Sequence, residues 1–219
     1  MTRFAARQIV DLFRLIALRL SEARTELGTL DGAIGDADHG NSMAEGFAAV
    51  VRATAAAGDL PPGEMFAISG RSFLSAVGAT TGPLYASAML SAARAIGDRA
   101  SLTPEDVAAL IPAFAEGIRD RGKARPGDKT MMDVWAPAAR AVAEGERLGR
   151  PALQRLLQAE AAALEGREAT RAMVAAVGRA ARLGPRSLGH VDPGAASAAI
   201  IISALREWLQ AQTSETGPA

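Results

Sequence analysis

Ser72-Phe73-Leu74-Ser75-Ala76-Val77-Gly78-Ala79-Thr80-Thr81-Gly82-Pro83-Leu84-Tyr85-Ala86-Ser87-Ala88-Met89-Leu90-Ser91-Ala92-Ala93 runs from Arg71 to Arg94 without a charge. Its length would suit a membrane-spanning helix. Its centre argues against one, because Gly78-Ala79-Thr80-Thr81-Gly82-Pro83 combines turn residues with a proline at an early helical position. Two buried helices meeting at a polar turn explain the stretch better than one span. The expected protein is therefore helical, with no membrane span.

The same reading extends in both directions. Pro61-Pro62 opens the helix that ends near Gly78, and Ser42 and Glu45 have capping-box spacing for a helix beginning at Asn41 or Ser42 and reaching about Gly58. Upstream, Phe4, Ile9, Leu12, Phe13, Ile16 and Leu20 form one apolar face of a helix expected to run to about Thr25. Downstream, Thr103-Pro104-Glu105-Asp106 starts a helix reaching about Arg121. Another runs from Thr130 to Glu144, bent at Pro137. A seventh runs from Pro151 to Arg182 with a break near Gly166, and Asp192-Pro193-Gly194 caps the last. No strand pattern, long linker or internal repeat is present. The expectation is all-α: one domain over 1–212, about eight helices in a barrel or bundle, and a frayed tail over 213–219.

Composition removes several function classes. Lys+Arg and Asp+Glu both number 24, so nothing argues for nucleic acid or an anionic membrane as partner. The absence of cysteine excludes disulfides, zinc–thiolate sites and thiol catalysis. Arg7, Asp11, Arg14 and Arg19 interrupt the N-terminal apolar residues, so no signal peptide is read and a cytoplasmic location is expected.

Polar segments gather at helix starts, where unpaired N–H groups and the positive end of the dipole suit phosphate. The sharpest is Leu30-Asp31-Gly32-Ala33-Ile34-Gly35-Asp36-Ala37-Asp38-His39-Gly40-Asn41. Three carboxylates within eight residues repel one another unless a cation lies between them, and hard oxygen ligands suit magnesium with phosphate completing its shell. The alternative is a solvated loop whose Asp side chains cap turns. An EF-hand fails on ligand order, and Gly122 to Thr130 fails as a P-loop because Asp128 separates Gly127 from Lys129 and no strand precedes it. No dinucleotide fingerprint follows a strand. His39, at a helix start, can address a phosphate; His190 is less committed. Arg179, Arg182 and Arg186 read as a solvated helix end from which one arginine could meet phosphate or a nucleotide ring.

Together these segments resemble the nucleotide-binding L subunit of the dihydroxyacetone kinases. The resemblance rests on Ile34-Gly35-Asp36-Ala37-Asp38-His39-Gly40-Asn41, against a family pattern G-D-G-D-H-G, and on Gly82-Pro83-Leu84-Tyr85. It continues through Gly127-Asp128-Lys129-Thr130-Met131-Met132-Asp133, Gly178-Arg179-Ala180 and Gly189-His190-Val191-Asp192-Pro193-Gly194-Ala195, in family order over nearly the whole chain. It implies an antiparallel barrel of eight helices with ADP or ATP and two magnesium ions at one end. Asp31, Asp36 and Asp38 are then the metal ligands. His39, Gly40, Asn41, Ser42, Thr80 and Thr81 would contact phosphates, while Gly122, Met131, Arg179, Asp192, Pro193 and Gly194 would line the base and sugar. No residue is assigned as catalytic. Ala37, Ala79 and Thr81 depart from the family pattern, and Ala37 is compatible with it only in an ordinary backbone conformation.

By this resemblance the chain is half of a phosphotransferase. A separate K subunit would hold dihydroxyacetone, and the donor is either exchangeable ATP or a fixed ADP recharged by a phosphocarrier protein of the phosphotransferase system. A homodimer or hetero-oligomer is implied. The competing readings are a kinase half for another acceptor, such as a four-carbon ketose or a fatty acid, and a nucleotide-dependent regulatory module that transfers nothing.

Overall fold

The structure, a computed structural model, describes residues 2–78 and 80–214. Its α-helices are α1 (Ala6–Glu22), α2 (Arg24–Ile34), α3 (His39–Ala56), α4 (Pro62–Ala76), α5 (Thr81–Ile96), α6 (Pro104–Gly122), α7 (Met132–Arg147), α8 (Ala152–Ala169) and α9 (Pro193–Ser214). Among the described residues there is no strand, only an antiparallel backbone pair between Phe4 and Leu102. No helix is long and apolar enough to cross a membrane.

Eight of these helices close a ring. Each of α3 to α8 packs on the next in sequence, α9 packs on α8, and α1 closes the circle against α9 and α3. Short turns join most neighbours, which sets them antiparallel. Aromatic contacts thread the interior: Phe47 meets Phe73 at 5.4 Å between centroids, Phe73 meets Tyr85 at 5.5 Å, and Phe114 meets Trp135 at 5.5 Å. The ring accounts for the eight expected helices.

The additional element is α2. The expected first helix breaks at Ala23 (φ −85°, ψ 2°), and the chain continues as α2 against α3 and α9. Gly40 permits this approach, since a Cβ there would collide with the Arg24 carbonyl. The acidic loop therefore contracts to Gly35–Asp38, and α3 starts at His39 rather than at Asn41 or Ser42. The Ser42–Glu45 capping box does not form; Ser42 lies inside α3, its N–H donating to the Asp38 carbonyl at 2.9 Å. The Thr103–Asp106 capping box does form.

The region after Pro151 also differs. No break occurs at Gly166, which serves packing: a Cβ there would strike the Asp133 carbonyl of α7. The helix stops at Ala169 instead, and residues 170–191 make an excursion with two 3-10 segments, Thr170–Ala172 and Ala180–Ser187. Gly178 and Gly184 adopt positive φ there, and Pro185 lacks an N–H, so an α-helix cannot propagate to Arg182. At the far end Thr213 and Ser214 continue α9, their hydroxyls donating to the Leu209 and Gln210 carbonyls. Residues 215–219 of the expected tail lie outside the described residues.

Candidate functional site

One end of the ring opens into a cleft of about 270 Å³. At its mouth Asp31, Asp36 and Asp38 bring one carboxylate oxygen each within 4.8 Å of the others. Asp31 is buried at the end of α2 and accepts the His39 N–H at 3.1 Å, whereas Asp36 and Asp38 are exposed. This is a donor set with room for a hard divalent cation, since three carboxylates so close are mutually repulsive without one. The Arg179 guanidinium contacts Asp36 and approaches Asp38 at 3.9 Å, supplying positive charge from the opposite wall.

Ala37 has φ +63°, so it does not keep the ordinary conformation that its place in the acidic segment seemed to demand. A left-handed alanine costs about 1–2 kcal/mol. That strain turns the backbone sharply enough for Asp36 and Asp38 to flank the same point.

His39 is buried beneath the carboxylates, with Nε2 2.9 Å from the Ser197 hydroxyl. The Ser197 hydroxyl also lies 3.0 Å from the Gly194 carbonyl, so the serine joins the imidazole to the backbone at the start of α9. Burial lowers the His39 pKa, and the nearby Asp31 charge only partly offsets it. The imidazole is therefore neutral at neutral pH.

The opposite wall is the turn before α7. Asp133 accepts the Gly127 and Thr130 N–H groups at 2.5 and 2.8 Å, and Asp128 accepts the Arg125 N–H at 2.7 Å. Lys129, at φ +58°, sends its side chain inward to 1% exposure. Burial lowers its pKa, against the attraction of Asp192. Asp192 caps α9 by accepting the Ala195 N–H at 2.7 Å, and burial pushes its pKa up to about 7.

Of the residues singled out in the sequence, Asp31, Asp36, Asp38, His39, Thr80, Thr81, Gly122, Met131, Arg179, Asp192, Pro193 and Gly194 all line this cleft. Gly40, Asn41 and Ser42 are not among its lining residues: Gly40 is a packing contact, and Asn41 accepts from Arg24 Nε at 2.5 Å. Ala79 lies outside the described residues. Sequence reasoning assigned nothing to Lys129, Asp133 or Ser197. A lysine in a Gly-Asp turn reads as solvated, and Ser197 announces itself only by standing one helical turn past Gly194.

The comparisons agree with this geometry. The family model described as the DAK2 domain matches residues 33–207. The PEP-dependent dihydroxyacetone kinase ADP-binding subunit DhaL of Escherichia coli is 40% identical over 176 residues, covering 80% of this chain and 84% of that one. The corresponding subunit of kinase 1 of Listeria innocua is 37% identical over 187 residues, covering 85% and 88%. L-erythrulose 1-kinase of Mycolicibacterium smegmatis is 33% identical over 211 residues, but this chain spans only 36% of that protein. In fold, the chain is similar to the dihydroxyacetone kinase from C. freundii in complex with AMP-PNP and Mg2+, with a TM-score of 0.71 at 24% identity. That match covers 94% of this chain and 35% of the solved one.

Proposed function

The chain belongs to the DAK2-domain family, and from that membership we propose that it is the ADP-binding subunit of a dihydroxyacetone kinase, holding the phosphoryl donor for an acceptor bound on a separate K subunit. The observation that carries the proposal is the acidic trio at the mouth of a cleft built from helix starts. Residues from the N-terminal ends of α3, α5, α7 and α9 all line that cleft. Such ends direct N–H groups and positive dipole toward phosphate oxygens.

Asp31, Asp36 and Asp38 would hold magnesium, two ions in the fullest reading, and the metal would neutralise charge on the phosphoryl oxygens. The chain's own residues do the rest. Thr80 and Thr81 offer hydroxyls beside the start of α5, and neutral His39 is held in orientation by Ser197. Arg179 brings a permanent cation to the same edge, so negative charge on a transferred group meets positive charge from both walls. The apolar Ile34, Leu84, Ile118, Met131 and Val177 also line the cleft, suiting a flat base. A second cavity lies against α1 and α9, but its charged lining, Arg19, Glu22, Glu26, Arg167 and Glu207, belongs to ion pairs away from the acidic trio.

The free-standing L subunit, rather than the erythrulose kinase, is the closer guide. Relatives that are separate ADP-binding subunits match over more than four-fifths of their own length, whereas the erythrulose kinase is about three times as long as the matched region. The names of those relatives, ADP-binding subunits of PEP-dependent kinases, favour a fixed ADP recharged by a phosphocarrier over free exchange with ATP.

A coupled assay of the purified chain with magnesium, nucleotide and dihydroxyacetone tests the proposal, with and without a K subunit and phosphocarrier. Turnover is expected only when the partners are added. Steady turnover by the chain alone would show that it carries its own acceptor site. None with any partner set, despite tight magnesium-ADP binding, would favour the regulatory-module reading.

A further inference from the structure

Lys129 is the buried charge that the nucleotide site leaves unexplained. Its stem is enclosed, and its ammonium donates at 2.5 Å to two backbone carbonyls, those of Thr170 and His190. These two residues bracket the excursion between α8 and α9. Thr170 is the C-terminal cap of α8, where carbonyls lack helical partners and a cation is favoured by the dipole. His190 stands just before the turn that starts α9.

The neck of the excursion is otherwise tied to itself. Asp192 N–H donates to Thr170 Oγ1 at 3.0 Å, Gly189 N–H donates to the Arg171 carbonyl at 2.8 Å, and Arg171 donates back to the Gly189 carbonyl at 3.0 Å. Links from the excursion to α7's side of the cleft come from one turn: Lys129 through its ammonium, and Asp128 through its carbonyl, which accepts the Ala176 N–H at 3.1 Å. Beyond that anchor the chain passes Gly178, at φ +73°, and reaches Arg179, which meets Asp36 and Asp38.

We infer that Lys129 is a positioning residue: it clamps both ends of the 170–190 excursion to the turn before α7, and thereby holds Arg179 against the acidic trio on the far side of the cleft. The left-handed backbone at Lys129 makes this possible, because an extended residue there would not send its side chain toward the interior neck. A cation with three donors suits a junction of converging carbonyls, which an apolar side chain of the same length would leave without partners. The inference rests on the cleft being a nucleotide site, and it gives Lys129, at the cleft's edge, the task of ordering the wall that carries Arg179.

The test compares Lys129→Met with the wild-type chain by two readouts. Limited trypsin digestion with mass-spectrometric mapping, without nucleotide, should show cleavage after Arg179, Arg182 and Arg186 accelerated about tenfold, since opening of a local segment sets its proteolysis. Calorimetry with magnesium-ADP should show Kd raised about tenfold in Lys129→Met and in Arg179→Ala. The double variant should be little worse than either single one, because both changes remove the same contact. Unchanged cleavage in the excursion, or affinity losses that multiply in the double variant, would overturn the assignment. Should Lys129→Met not fold, Lys129→Gln keeps an amide donor in the same pocket, and the same cycle decides. Failure of wild-type protein to bind magnesium-ADP at all would instead remove the nucleotide reading, while the proteolysis result would still stand or fall by itself.

Discussion

His39 Nε2 and Ser197 Oγ lie 2.9 Å apart in a hydrogen bond across the base of the cleft, joining the first residue of α3 to α9. Both residues are buried, so neither can exchange this bond for water. Ser197→Ala leaves a buried imidazole nitrogen without its partner, which costs about 1–3 kcal/mol. Urea denaturation should show a loss of that order, and calorimetry a weaker magnesium-ADP affinity because the ring is no longer oriented. A variant as stable as wild type would mean that Ser197 does not hold the imidazole.

Asp36 and Asp38 are exposed, so their substitution should separate binding from folding. Asp36→Asn and Asp38→Asn are each expected to weaken magnesium-ADP binding while leaving helix content intact. In the wild type, magnesium-ADP at a hundredfold excess over Kd should stabilise the fold by about 2.7 kcal/mol, a gain that a chelator reverses. Retention of full nucleotide affinity in both variants would remove these carboxylates from the metal site.

Ala37 supplies a prediction of the opposite sign. Relief of its left-handed strain is worth about 1–2 kcal/mol, while the freer unfolded chain of a glycine variant offsets about 0.4–1 kcal/mol. Ala37→Gly should therefore be neutral or modestly stabilising in urea denaturation. A clear loss would contradict the backbone conformation assigned to the acidic turn.

Gly166 and the Asp133 carbonyl occupy the closest approach of α8 to α7. Gly166→Ala must push the helices apart, at about 1–3 kcal/mol for overpacking. Asp133 also holds the Gly127 and Thr130 N–H groups, so the displacement should reach the cleft and weaken nucleotide binding. Normal stability in Gly166→Ala would show that the helices do not pass this closely.

Asp192 predicts a pH dependence. Burial raises its pKa from 3.8 to about 7 in the folded chain, so between those values the folded state holds a proton that the unfolded state lacks. Stability attributable to this group is then present below 3.8 and lost as pH rises through 7. Asp192→Asn keeps an acceptor for the Ala195 N–H and cannot ionise. The variant should match wild type near pH 4 and exceed it at pH 8, measured without metal or nucleotide. An equal deficit at both pH values would show that Lys129 keeps Asp192 charged throughout.

Much of this protein was determined by the sequence alone. The apolar spacing of Ile9, Phe13 and Leu20, the Thr103–Asp106 box and the Gly82–Pro83 start are local signals, and local hydrogen bonding and burial turn them directly into helices, whereas Phe4 lies outside α1 and pairs with Leu102. The acidic trio was legible as a cluster, because Asp31, Asp36 and Asp38 lie close in the chain, and the fold keeps one carboxylate oxygen of each within 4.8 Å of the others. The tertiary structure decided what depends on a partner distant in sequence. Gly166 looked like a helix break until α7 lay against it, and the packing of Gly40 on α2 had no signal in the sequence. Arg179 reached Asp36 only because the chain after Ala169 leaves the α-helix, and Lys129 became an anchor only because a positive φ turned its ammonium onto carbonyls 41 and 61 residues away. Spacing along a helix reports which residues share a face, but it carries no information about which carbonyl of a remote segment will stand unpaired beside it.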